Sequence, residues 1–422
     1  VKLLTRLRDG VALLRDPYGF LAAAQREQGP TFWAELPLLG RALFTGDPEL
    51  VAEIAAHPDL EAGRGIQALR AALGEGSLIT LDGSEHLARQ RLVAPAFRGQ
   101  ILESARPLVQ DAARGLTREL PRGVEFSIYD LVARITRRSI VRLVFGQLDA
   151  LREREIEAAL AGFLGALRSP LPLYLTPLQR DWGSLNGWGR LLRQRRALNR
   201  AIVGEVRRHR QQGSPADACT LAALALSDLS AEDLATEVLA LLLFGHDTGA
   251  GALAWAFVHV HQADAVGRLK GDEAFLEACL VESMRLCPVV AHLTRVARVD
   301  LQVGPHRVRA GERVLPSAWL AHHDAQSFPD PERFLPERFL GSQPSPFAYF
   351  PFGIGRRLCV GRPFVLRQMI WVLRAVLGEV ELRLAPGYAP RPVRKQVLVV
   401  PSGGGRFVAA SLSGAARRVA QR

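Results

Sequence analysis

Lysine is almost absent from this 422-residue sequence. Only Lys2, Lys270 and Lys395 occur, so arginine supplies nearly all the positive charge behind a net charge of +12. Cysteine is scarce as well: Cys219, Cys279, Cys287 and Cys359 form no CxxC pair and no regular framework. That excludes a disulfide-rich secreted scaffold and suits a reducing compartment, the cytoplasm. Linkers rich in Gly, Ser or Pro, internal repeats and low-complexity tracts are missing too, so residues 1–422 read as a single globular domain. The opening segment VKLLTRLRDGVALLRDPYGF interrupts its apolar residues with Arg6, Arg8, Asp9 and Arg15, which offers neither a signal-peptide core nor a membrane anchor. A basic balance can serve nucleic acid, an anionic membrane or an acidic protein. With no zinc-finger spacing, RNA-binding signature or long basic run, nucleic acid is the weakest of the three.

What is present points to helices. At 48% hydrophobic and 23% charged, the chain can bury a large core. Asp47-Pro48 predicts a helix start, and from about Ile101 to Arg210 helical periodicity dominates, with Leu131, Ile135, Ile140 and Val144 near one face. Ser230, with Asp233 three residues on, predicts the N-cap of a proline-free helix reaching about His261, roughly 45 Å long. Its length and apolar character would also suit a membrane span, but Glu237, His246 and Asp247 interrupt it where lipid penalises charge most. Between Arg295 and Trp319, alternation with turn signals at Gly304-Pro305 and Ala310-Gly311 predicts a small antiparallel sheet. The expected fold class is mainly α with a minor antiparallel β part.

The most informative segment is PFGIGRRLCVG, in which Phe352, Gly355, Arg357, Cys359 and Gly361 precede a helical pattern. A thiolate is a soft, strongly electron-donating ligand suited to iron. Glycines let backbone N–H groups approach its sulfur, and the start of a helix adds partial positive charge. A lone cysteine is more often an ordinary buried thiol, but five matched positions in FxxGxRxCxG rarely coincide by chance.

With this loop the sequence resembles the cytochrome P450 family, over nearly the whole chain from DPYGF to PSGGGRF. The resemblance implies a triangular, mainly helical fold that holds haem b between the long central helix and the cysteine loop. Cys359 would be the axial thiolate, Phe352 its cover, and Arg357, with Arg295 in HLTRVA and His86, would anchor the haem. His86 matches the start of the family's HxxxR pattern, but Gln90 stands where its arginine belongs, with Arg89 or Arg91 as substitutes. Glu282 and Arg285 match the ExxR pair and Arg338 in PERF its third member, a network that locks the cysteine loop. Read alone, such an i,i+3 pair would more often be a surface bridge.

FGHDTG in the long helix resembles the family's AGxDTT motif, which makes Asp247 and Thr248 the acid and alcohol of proton delivery. Gly245, Gly249 and Gly251 would make a local opening of that helix cheap. Phe244 stands where the family has a small residue. The implied reaction is a monooxygenation: one atom of O2 enters a hydrophobic small molecule such as a terpenoid, fatty acid, steroid-like compound or polyketide. Expected substrate contacts are segment 66–78, segment 163–173, Phe244, Val290 to Leu293, and Val397 with Leu398. Electrons would come from a separate ferredoxin or flavodoxin with its reductase, docked to a monomer by Arg89, Arg91, Arg356, Arg362 and Arg367.

Three rivals remain. A peroxide-using or isomerising haem-thiolate enzyme often lacks the acid and alcohol pair, and a haem sensor would keep Cys359 without turnover. GAGALA, from Gly249 to Ala254, fits a dinucleotide fingerprint but lies inside one helical pattern, without the strand such a fingerprint needs.

Overall fold

The computed structural model describes residues 2–37, 40–74, 76–167, 180–181, 186–215, 219–269 and 271–411. The first part of the chain runs α1 (Lys2–Arg15), α2 (Pro17–Gln28), β1 (Thr31–Leu36), β2 (Gly40–Thr45), α3 (Pro48–Ala56), β3 (Leu60–Glu61), α4 (Gln67–Leu73) and α5 (Gly83–Val93). A helical middle follows: α6 (Gly99–Arg118), β4 (Glu125–Ser127), α7 (Ile128–Phe145), α8 (Ala150–Ala166), α9 (Gly187–Gln212), α10 (Thr220–Ala225), α11 (Ala231–Gln262) and α12 (Glu273–Leu286). The last part holds β5 (Arg295–Ala297), β6 (Leu301–Val303), β7 (His306–Val308), β8 (Arg313–Pro316), α13 (Ala318–His322), α14 (Arg362–Glu379), β9 (Glu381–Leu384), β10 (Pro392–Lys395), β11 (Leu398–Pro401) and β12 (Arg406–Ala410).

The chain is mainly helical with small sheets, as its pattern predicts. Asp47 caps α3 by accepting from the N–H groups of Glu49 and Leu50. Ser230 caps α11: its Oγ accepts from Asp233 N–H at 3.0 Å and donates to the Asp233 carboxylate at 2.7 Å. At 32 residues, α11 is about 48 Å long. It is the one helix among the described residues long and apolar enough to cross a membrane, yet 67% of its most apolar window is buried within the fold. Its neighbours supply that cover. α7 packs along it most extensively, α9 and α12 lie against it, and strand β11 runs beside its second half.

The segment read as one antiparallel sheet divides. β6 and β7 form their own hairpin, while β5 and β8 join a five-stranded sheet in the order β1-β2-β8-β5-β3. There β8 runs parallel to β2, pairing Phe44 with Leu315, and the other pairings are antiparallel. Alternation reports a half-buried strand but not the direction of its partner. β4, β12 and β9 form a third sheet, and β10–β11 a second hairpin against α11.

Candidate functional site

The cysteine loop is shaped by close backbone approaches. Gly353 and Gly355 take φ of +89° and +55°. A Cβ would stand 3.0 Å from Arg357 O at the first and 2.9 Å from Ala55 O at the second, so both positions demand glycine. Cys359 N–H donates to Phe352 O at 2.9 Å, and α14 begins three residues later, its positive end toward the sulfur. Burial pushes the thiol above its ordinary value, while the N–H groups of Gly361 and Arg362 and the Arg362 charge pull it down. Cys359 is nonetheless exposed by area.

Behind the loop lies a buried charge network. Glu282 and Arg285, both fully buried, pair through two bonds of 2.6 and 3.0 Å, and Glu282 also accepts from Arg338 at 3.2 Å and from Leu335 N–H at 2.8 Å. Arg285 donates in addition to His322 O and Arg333 O. His322, held neutral by burial, donates from Nδ1 to Arg285 O and accepts from Phe350 N–H at 3.0 Å. This imidazole carries the network from Arg285 to the strand of chain entering the cysteine loop. Its position had no sequence signal.

A second cluster joins the loop to the first part of the chain. Arg357 donates to Leu78 O (3.2 Å), to Leu81 O and to Asp82, whose carboxylate also accepts from the N–H groups of Ala62, Gly63 and Arg64. Arg295 is buried beside them; burial first, then the Arg357 charge, brings its guanidinium down to about 10, against the opposing pull of Asp82. His86 is lowered to about 4, by burial and then Arg357. Gln90 donates to Arg356 O at 3.0 Å, tying α5 to the cysteine loop. Arg89 turns the other way. It pairs at 2.6 Å with Glu237 of α11, which also accepts from Leu78 N–H at 2.7 Å. The Leu78 peptide is thus clamped, its N–H by Glu237 and its carbonyl by Arg357.

The middle of α11 carries the remaining motif. Leu241, Leu243 to Gly245, Asp247 and Thr248 are half-exposed in a helix that is buried from Gly249 to Val260. Thr248 Oγ1 donates back to Phe244 O at 2.9 Å, whereas Asp247 accepts from the Tyr129 hydroxyl of α7. Neighbours on a helix point about 100° apart, so acid and alcohol do not touch. The helix is unbroken here, contrary to the expected opening. Its glycines admit neighbours instead. A Cβ at Gly245 would meet Ile140 Cδ1 at 2.9 Å, and one at Gly251 would meet Val289 Cγ1 at 2.6 Å.

The family model for cytochrome P450 matches residues 13–266 and 273–408. The chain belongs to the cytochrome P450 family. Relatives include "Putative cytochrome P450 138" of Mycobacterium tuberculosis, 32% identical over 429 residues, covering 96% of this chain and 94% of the relative. "Putative cytochrome P450 135B1" of the same species is also 32% identical, over 430 residues, with 94% and 88% covered. Among solved structures, CYP175A1 from Thermus thermophillus superposes with a TM-score of 0.72 at 26% identity over 94% of this chain and 95% of that one. The cyanobacterial CYP120A1, solved with retinoic acid, reaches 0.79 over 96% of both chains at 24% identity, a likeness of fold. As a cytochrome P450 the protein is a monooxygenase that incorporates molecular oxygen, and the family implies haem with a cysteine thiolate ligand.

The residues present fit that group. Two guanidiniums and an imidazole, Arg295, Arg357 and His86, share one carboxylate, Asp82, in a desolvated place. Such a surplus of buried donors suits the two propionates of a haem. The accessible, desolvated Cys359 suits the iron, whose charge deprotonates a coordinating thiol outright.

Other expected positions fare differently. Phe244, Val290 and Leu293 are half-buried, and Leu398 is buried on β11. Phe163 is fully buried in the core, residues 168–173 lie outside the described residues, and Val397 is 63% exposed at the hairpin turn, so it faces solvent. Of the arginines expected at a docking face, Arg91, Arg356, Arg362 and Arg367 are exposed, and Arg89 is withdrawn into its pair with Glu237. That pairing also leaves Arg89 a poor substitute for the arginine missing at Gln90.

Proposed function

We propose that the protein binds haem b through the Cys359 thiolate and inserts one oxygen atom of O2 into a hydrophobic small molecule. The observation that carries this reading is the cysteine: a desolvated yet accessible thiol at a helix start, beside a buried surplus of guanidinium groups. Bound there, haem would supply the activation of dioxygen. Arg295, Arg357 and His86 would hold the propionates, and the Glu282–Arg285–Arg338 network with His322 would keep the loop from shifting under the ligand. Asp247 and Thr248 would deliver protons on the oxygen side. Phe244, Val290, Leu293 and Leu398 are all apolar, which supports a terpenoid, fatty acid, steroid-like or polyketide substrate.

Two electrons per turnover would come from an acidic ferredoxin or flavodoxin, steered by Arg91, Arg356, Arg362 and Arg367. Four free cysteines suit work in the cytoplasm.

The test is the absorption spectrum of the dithionite-reduced protein with and without carbon monoxide, for wild type and Cys359→Ala. A strongly red-shifted Soret band that the substitution abolishes is the expected result. An unshifted band from folded, haem-loaded wild type would overturn the assignment of Cys359.

A further inference from the structure

The acid of α11 has a partner that its own motif does not contain. Tyr129 stands in the first turn of α7, two residues after Ser127, whose Oγ accepts from Asp130 N–H at 3.1 Å. The turn before β12 packs on it. Ile128 N–H donates to Gly405 O at 2.8 Å, and a Cβ at Gly404, where φ is +74°, would lie 3.3 Å from Tyr129 Cβ. The root of the side chain is therefore fixed by two elements. The residue is 3% exposed, and its hydroxyl donates to Asp247 Oδ1 across the interface of α7 with α11. On the ring face, Lys395 Nζ sits 3.6 Å from the centroid, at the exposed end of β10.

The charged and titratable groups around this contact come from three elements. α7 brings Asp130 and Arg137, α11 brings His246, kept neutral chiefly by burial, and β10 brings Lys395. Burial and then the Asp247 charge push the Tyr129 hydroxyl far above its ordinary value, so the phenol keeps its proton.

We infer that Tyr129 is a positioning residue for proton supply: it holds Asp247 Oδ1 on the Lys395 side, where solvent protons enter, and so leaves Oδ2 for inward transfer. This rests on the proposed role of Asp247 as the relay acid. In each cycle Asp247 gives one proton inward, toward Thr248, and regains one from water at the Lys395 end. Tyr129 donates its hydrogen bond throughout and keeps its own proton, so one proton passes from solvent for each proton used. The geometry explains why the acid and alcohol are bonded apart. The carboxylate is loaded at one interface and unloads at another.

The test uses the full-length, haem-loaded protein with Tyr129→Phe and Asp247→Asn. Protein held reduced by an excess of reduced ferredoxin, which also supplies the second electron, is mixed with air-saturated buffer in H2O and in D2O, and the return to the ferric spectrum is followed by stopped flow. Asp247→Asn should slow the return about a hundredfold, the lower range for loss of a general acid. Tyr129→Phe should slow it about tenfold, the worth of one hydrogen bond to a charged group, and raise the ratio of the H2O to the D2O rate. A purely structural role would leave that ratio unchanged. A second readout needs no turnover: the phenol C–O infrared band that vanishes in Tyr129→Phe should be displaced in Asp247→Asn.

Wild-type rates and isotope ratio in Asp247→Asn would remove the relay role and this inference with it. A slowed Asp247→Asn beside a Tyr129→Phe variant of wild-type rate and ratio would overturn the inference alone. So would an infrared band indifferent to Asp247.

Discussion

The two sides of the site are built on opposite terms. On the cysteine side, Glu282 receives four bonds from three donors, and every guanidinium nitrogen of Arg285 donates within the fold. On the oxygen side and its flanks, polar atoms are left with spare capacity. Glu237 Oε2 has no partner among the described residues, and Asp247 and Thr248 make one side-chain hydrogen bond each among them. A saturated network has one low-energy arrangement; an unsaturated one can exchange partners. On the proposed reading, the network that would hold a ligand still is saturated, and the pair that would pass protons is not.

The contrast is broken most severely at Glu282. Glu282→Ala strands the fully buried Arg285 charge and should cost about 3–5 kcal/mol. Denaturant unfolding should show that loss together with weakened haem retention. Asp247→Asn, on the other side, should change stability by less than about 1 kcal/mol in the same assay. Equal losses at the two positions would dissolve the distinction.

A smaller effect separates the sides by pH. Burial, opposed by Arg89 and Leu78 N–H, raises Glu237 from 4.5 to about 7. The folded state then holds this proton more tightly than the unfolded chain. The stability so contributed is fully present below about pH 4.5 and is lost as pH rises through about 7. Glu237→Gln should remove that slope, on the order of 3 kcal/mol across the window. The measurement is the difference between the stability–pH curves of variant and wild type, which cancels the opposite slope expected from the buried neutral His86, His292 and His323.

The smallest change in stability lies on the outer face of the cysteine side. Reversing Arg91 and Arg367 to Glu should leave stability within about 0.5 kcal/mol. Electron transfer from an acidic ferredoxin should slow and lose its dependence on salt. Unchanged transfer rates and salt dependence would remove this face from docking.

Much of the cysteine side could be read from the sequence because its chemistry is local. Glu282 and Arg285 are one helical turn apart, and the residues from Phe352 to Gly361 form one loop. The cap at Ser230 and the long helix after it are local as well. What escaped prediction depends on distant pairs. Tyr129 meets Asp247 from 118 positions away, Asp82 meets Arg357 from 275, and Arg89 meets Glu237 from 148. No spacing rule links such residues; only the packing of α7, α5 and the cysteine loop brings them together. The expected opening at Gly245 to Gly251 failed for a related reason. Glycine permits a distortion, but here Ile140 and Val289 use the same room for close packing.

The clamped Leu78 peptide has a consequence for how this enzyme could change. Both bonds, to Glu237 and to Arg357, are made by the main chain, so the clamp itself asks only for a residue other than proline at position 78, while the buried place of the Leu78 side chain asks for an apolar one. Anchorage and side-chain identity are thereby uncoupled. Mutational drift or laboratory evolution can exchange one apolar side chain for another here while the backbone stays moored to both halves of the site.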